Sequence, residues 1–139
     1  MGRVTRLRRF AAYGLVGWGF DIAYSTLHDA ARGRPFRFRS SPWNVPVYGL
    51  LQPLFEPVHD RIRDRLWPVR AAAYGVGILA VEYASGWILR RVRGRAPWDY
   101  TDARWHVHGL IRPDYFPLWA VVGLGAERLH DALTAGRRE

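Results

Sequence analysis

The sequence predicts an all-α fold: a small transmembrane helical bundle of about four spans, forming a single membrane domain over 1–139. Three observations predict it. Apolar residues gather into four runs, each with one acidic side chain inside it or at its end. Arginines crowd the stretches between the runs. Small residues recur one helical turn apart inside them, a spacing that lets helices approach closely in lipid.

The composition hides this pattern. The 139 residues carry a formal net charge of +9, and all 21 basic residues are arginine. The mean hydropathy of −0.20 resembles that of a soluble protein. The charges are not spread, however. A soluble helical protein usually distributes them along one stripe of each helix; here they sit between apolar blocks. The absence of cysteine excludes disulfides, thiolate metal sites and thiol nucleophiles.

The first run, Phe10 to Leu27, holds one charge, Asp21, and predicts a span over about 10–30. Its length approaches the roughly 20 residues that a bilayer crossing needs. It is too long for a cleavable signal peptide, and no small-x-small site precedes a soluble mature domain. Gly14, Gly17 and Gly19 would each cost about 1 kcal/mol in a soluble helix, but glycine is common in membrane helices. The second run, Trp43 to Val58, predicts a span over about 44–66. Pro42, Pro46, Pro53 and Pro57 make it kinked or irregular, because each proline lacks a backbone donor and crowds the preceding turn. "DRIRDRLW" (Asp60–Trp67) reads as its polar exit.

The third run, Ala71 to Leu89, holds Glu82 alone and predicts a span over about 70–91. Ala73-x-x-x-Gly77 and Ala80-x-x-x-Ala84 are its small-residue pairs. The fourth, Tyr115 to Ala126, predicts a span over about 114–133 that reaches Glu127. Residues 1–9 and 134–139 are polar, basic tails. Four spans put 11 arginines on one side and 10 on the other, so the positive-inside rule gives no orientation.

Asp21, Glu56, Glu82 and Glu127 are the intramembrane polar candidates. An ionised carboxylate in hydrocarbon costs several kcal/mol, so such groups pair, face an interior or stay protonated. Arg70, Arg90, Arg128, Tyr13, Tyr24, Tyr74 and Tyr83 are available partners. Structural pairing between helices is the first reading. A sharper one notes that Glu56-x-x-His59 and Glu127-x-x-His130 alternate with Asp21 and Glu82. That order matches the di-iron four-helix bundles. Against it, Pro57 lies inside the first motif, and Asp60, Arg61 and Asp131 crowd both histidines. His106-x-His108 is a weak zinc signal without further ligands. Ser25, Ser40, Ser41 and Ser85 lack a His/Asp frame, and no phosphate loop, nucleophile elbow or dinucleotide fingerprint occurs. No catalytic residue, metal or cofactor is expected, and enzymatic chemistry is left open.

Between the third and fourth runs lies an aromatic loop. Trp98, Tyr100, Trp105, Tyr115 and Trp119 suit a membrane–water interface. Asp99 reads as a local acceptor that folds the loop, and Asp114 as an N-cap of the last helix.

Several short motifs follow in order: "PVYG" (Pro46–Gly49), "EYASGWILRR" (Glu82–Arg91), "PWDY" (Pro97–Tyr100), "GLIR" (Gly109–Arg112) and "PLW" (Pro117–Trp119). With "GWGFDIAYSTLHD" in the first run, the chain resembles a family of small four-span membrane proteins. That family includes transmembrane protein 229 of animals, and its bacterial members are labelled ABC-transporter type IV, or CmpB-like. Pro46, Tyr48, Gly49, Gly86, Trp98, Asp99, Tyr100 and Gly109 are the residues that carry the likeness, read as structural. The resemblance implies a polytopic membrane protein and names no reaction.

The function expected is a transporter-like component, or an accessory or structural subunit of a larger membrane complex. Its expected place is the cytoplasmic membrane of a bacterium. Anionic lipids and a protein partner or second copy are the expected partners; nucleic acid is not. The alternatives are a membrane metalloenzyme built on the carboxylates and a soluble basic domain that binds nucleic acid.

Overall fold

The computed structural model describes residues 2–35 and 41–135. Arg37, Arg39, Ser40, Arg137 and Arg138 lie outside the described residues, as does the C-terminal tail from 136. Among the described residues the regular structure is helical, apart from one isolated antiparallel bridge between Val107 and Ile111. The chain divides into two compact units, 1–53 and 54–139.

The first unit pairs a long helix, α1 (Gly2–Ala31), with a short one, α2 (Asn44–Gly49). α1 begins eight residues before the expected span, since arginine and leucine are good helix formers and nothing breaks the helix. It ends in a turn closed by Arg32 and Arg34 N–H groups on the Asp29 carbonyl, with Gly33 at a positive φ of 63°. Two glycines explain how the helices meet. A Cβ on Gly14 would lie 2.5 Å from the Val45 carbonyl oxygen, and one on Gly17 would run into the Tyr48 ring. Gly49 receives the Phe10 ring in return. Gly19, by contrast, faces open space.

The expected irregularity of the second segment takes a definite form. After α2 comes a π-helical turn, Leu51–Phe55, and then α3 (Glu56–Ile62). Pro53 sits within the widened turn, where its missing N–H and bulky ring are accommodated. Pro57 lies in the first turn of α3, where no intrahelical donor is needed. The helix stops at Ile62 rather than running on to 66.

In the second unit, α4 (Trp67–Arg93) packs along α5 (Phe116–Thr134). α4 opens with Pro68 in its first turn and ends at Gly94, whose φ is 76°. Arg90, Arg91 and Arg93 in its last turn complement the helix dipole. Gly123 on α5 lies against Tyr74, where any Cβ would overlap the ring, and Gly75 lies against Phe116. A 3₁₀ turn, Pro113–Tyr115, leads into α5. Asp114 is inside this turn and does not cap α5. Tyr115 holds the N-cap position without a side-chain bond, and the Asp114 carboxylate turns to Arg112 at 2.6 Å.

α4 is the one helix among the described residues that is long and apolar enough to cross a membrane by length and composition. The others fall short for separate reasons. Glycine, tyrosine and tryptophan dilute the apolar run of α1. The π turn divides the second segment. α5 gathers Glu127, Arg128 and Asp131 near its end.

Candidate functional site

The loop between α4 and α5 folds back on α4 and assembles the motif residues. The Trp98 indole N–H donates to the Leu110 carbonyl at 2.8 Å, and Leu110 is fully buried. Both pack over Gly86, where a Cβ would come within 2.9 Å of Leu110. The Tyr100 hydroxyl donates to Glu82 at 2.7 Å, while its backbone N–H donates to the Gly109 carbonyl at 2.9 Å. Gly109 has a φ of 68°, which lets the chain turn beside Thr101 and Asp99. Asp99 accepts the Thr101 N–H at 3.0 Å. Hydrogen bonds from Thr101 hold the Asp99 carboxyl below its ordinary pKa. His106 and His108 serve different partners. His106 Nδ1 accepts the Gly109 N–H, and His108, at a φ of 54°, meets the Tyr83 hydroxyl at 2.8 Å. Arg90 ties down the His108 carbonyl at 2.9 Å.

Asp21, in the first unit, accepts a 3.0 Å bond from the Asn44 amide. Nothing in the sequence pointed to Asn44 beyond its being a polar residue at the head of an apolar run. Glu82, as above, serves the loop.

Glu56 and Glu127 come together, and both Glu-x-x-His motifs come with them. Because Pro57 is in the first turn of α3, Glu56 and His59 keep helical spacing and share a buried face. Glu127 and His130 share the buried face of α5 in the same way. The His130 Nδ1 lies 3.3 Å from Glu56, and the two imidazole rings meet edge to face at 5.1 Å. Phe55 stacks on His59 with its plane tilted by 5°.

Glu127 is the hub. Arg70 grips it with two bonds, Nε to Oε1 at 2.7 Å and Nη2 to Oε2 at 3.2 Å. The Tyr74 hydroxyl donates to Oε1 at 2.5 Å and meets His59 Nδ1 at 2.8 Å. On the far side of that ring, Arg63 Nη2 lies 3.5 Å from Nε2 and 3.8 Å from Asp131. Arg63, one turn after His59 in sequence, had given no signal of this role.

The chemistry of the donors fixes the direction of this chain. Arginine only donates, so the 3.5 Å approach of Arg63 to Nε2 suits the His59 tautomer that carries its proton on Nδ1. His59 Nδ1–H then donates to the Tyr74 oxygen, and the Tyr74 hydroxyl donates to Glu127. Glu127 Oε1 takes both this hydroxyl and the Arg70 Nε–H, the set of donors that an ionised carboxylate suits. Among the described residues, no group of three or more His, Asp or Glu side chains is arranged to hold a metal ion.

A model of the family described as "Putative ABC-transporter type IV" matches residues 9–136. The chain belongs to this family. The match runs through both compact units, so the glycine-paired helices and the polar cluster alike are parts of a family member. No solved structure matches the chain.

Proposed function

We propose that this family member is a multi-pass protein of the bacterial cytoplasmic membrane, working as a component or accessory subunit of a larger transport assembly. One observation carries the reading. α4 has the length and composition of a span, yet only 17% of its most apolar window is buried. A core helix of a soluble protein is mostly covered. Here Val76, Ile88 and Val92 point outward, Val92 with 78% of its surface exposed. Lipid or partner helices would cover such a surface; water would not. α1, the divided segment 44–62 and α5 supply the other three crossings in this reading. Asp21 pairs with Asn44, and Glu127 with Arg70 and Tyr74, the internal pairing that a membrane requires of such acids.

Cationic side chains beside aromatic rings fit the boundary with headgroups. Arg91 lies over Trp87 at 4.7 Å, Arg104 over Trp105 at 5.6 Å and Arg112 over Tyr115 at 4.1 Å. Anionic lipids are the partners these groups suit. The small size of the chain favours a second copy or a larger partner. Sedimented membranes washed with alkaline carbonate and high salt provide the test. Retention in the pellet is expected; release into the supernatant overturns the reading.

A further inference from the structure

We propose that the buried cluster of α3, α4 and α5 is a proton-transfer site, which carries a proton from solvent at His59 to the carboxylate of Glu127 and thereby releases Arg70. The inference does not depend on the chain crossing a membrane.

The path is continuous in one direction. Arg63 and Asp131 are 38% and 56% exposed, while His59 behind them is 4% exposed. Arg63 stands between two loose partners, His59 Nε2 at 3.5 Å and Asp131 at 3.8 Å. When it turns to Asp131, Nε2 is free to take a proton from water. The rest of the chain is short, at 2.8 Å from His59 Nδ1 to the Tyr74 oxygen and 2.5 Å on to Glu127.

The protons balance along this path. A new N–H bond forms at His59 Nε2. The Nδ1–H bond breaks as that proton joins the Tyr74 oxygen, and the original Tyr74 O–H bond breaks as its proton joins Glu127 Oε1. His59 and Tyr74 end neutral with their hydrogens reversed, and Glu127 changes from −1 to neutral. The charge that held Arg70 across the two helices is then gone. Arg70 keeps its 2.7 Å bond from Nη1 to the Arg65 carbonyl just before α4. Proton arrival thus loosens α4 from α5 at one named pair.

The charged and titratable groups facing His59 come from every helix around it. Among the described residues they include Arg63 on its own helix, Tyr74 on α4, and Glu127 (3.4 Å from Nδ1), His130 and Asp131 on α5, with Arg70 bound to Glu127 and Glu56 beside His130 one step further out. The Glu56–His130 pair, 3.3 Å apart, lies beside the path.

The test is a pH titration of the full chain in detergent micelles, with labelled histidine nitrogens and glutamate carboxyls followed by NMR. Near neutral pH, His59 should hold its proton on Nδ1. On acidification it should switch to the Nε2–H tautomer in the same transition that protonates Glu127. A doubly protonated His59 beside a still-ionised Glu127 overturns the proposal, as does an Nε2–H tautomer at every pH. Tyr74→Phe deletes the middle carrier. It should split the shared transition and slow Glu127 protonation after a pH jump by roughly a hundredfold, the scale on which a positioned proton carrier acts. An unchanged rate overturns the proposal. Arg63→Gln leaves the buried path intact and is the second variant if Tyr74→Phe does not fold. Removing the guanidinium from Nε2 should speed protonation, and no change in rate counts against the path.

Discussion

Arg70 and Glu127 join α4 to α5 through two parallel N–H···O bonds of 2.7 and 3.2 Å. The pair ties the beginning of one helix to the end of the other and is largely shielded from solvent. Removing one member leaves the other's charge buried without its counter-ion, which is far more costly than removing both. Arg70→Met and Glu127→Leu should therefore each lower the thermal midpoint by about 5–10 °C. The double variant should recover most of that loss. Thermal unfolding followed by tryptophan fluorescence measures all three, and additive losses in the double variant would show that the pair is not a unit.

Two glycines on α5 make a matched comparison. Gly123 lies against Tyr74 with no room for a methyl group, whereas nothing comes within 4 Å of a Cβ on Gly125. Gly123→Ala forces α4 and α5 apart and pushes Tyr74 away from Glu127. It should destabilise the second unit by about 1–3 kcal/mol, as overpacking does. Gly125→Ala gains helix propensity without a clash and should stabilise by up to about 1 kcal/mol. Denaturant melts of the two variants compare them directly, and equal effects would contradict the close approach.

Tyr100 tests how the loop is held. Its hydroxyl serves the buried Glu82 at 2.7 Å. Tyr100→Phe deprives a buried carboxylate of a donor and should cost about 1–2 kcal/mol. Glu82→Gln keeps an acceptor oxygen for the same hydroxyl and should cost less. Limited proteolysis within 99–106 reports whether the loop stays docked. Faster cleavage in Glu82→Gln than in Tyr100→Phe would reverse the assignment.

What the sequence made legible were features governed by local spacing. The helical class, the break in the second segment and the positions of the last two helices follow from proline placement and apolar run length. Glu56-x-x-His59 and Glu127-x-x-His130 could be read as like motifs, because three-residue spacing puts both side chains on one helical face. Their meeting could not, since it depends on how α3 and α5 lie against α4. Arg63 and Asn44 stayed hidden for the same reason: each gains its role from a partner on another turn or helix. The expectation that Asp114 caps α5 failed because Arg112, two residues away, competes for its carboxylate with a charged fork. Asp21 accepts from Asn44 and Glu82 from Tyr100, so an acid in an apolar run announces that it has a partner, not which one.

Acid should loosen the loop before it unfolds the helices. Hydrogen bonds from Thr101 hold Asp99 below its ordinary value, and the Arg112 fork does the same for Asp114. A carboxyl whose folded pKa is depressed adds stability above its unfolded value, 3.8 for aspartate, and that stability is lost as the pH falls through the folded value. Both groups are close to solvent, so the effect is local and screened. Exchange of the Thr101 amide hydrogen should thus lose protection below about pH 4, after correction for intrinsic exchange. Asp99→Asn keeps an oxygen acceptor for Thr101 but has no proton to take up, and its protection should stay flat with pH. Protection that falls identically in Asp99→Asn and in the unaltered chain would remove Asp99 as the cause.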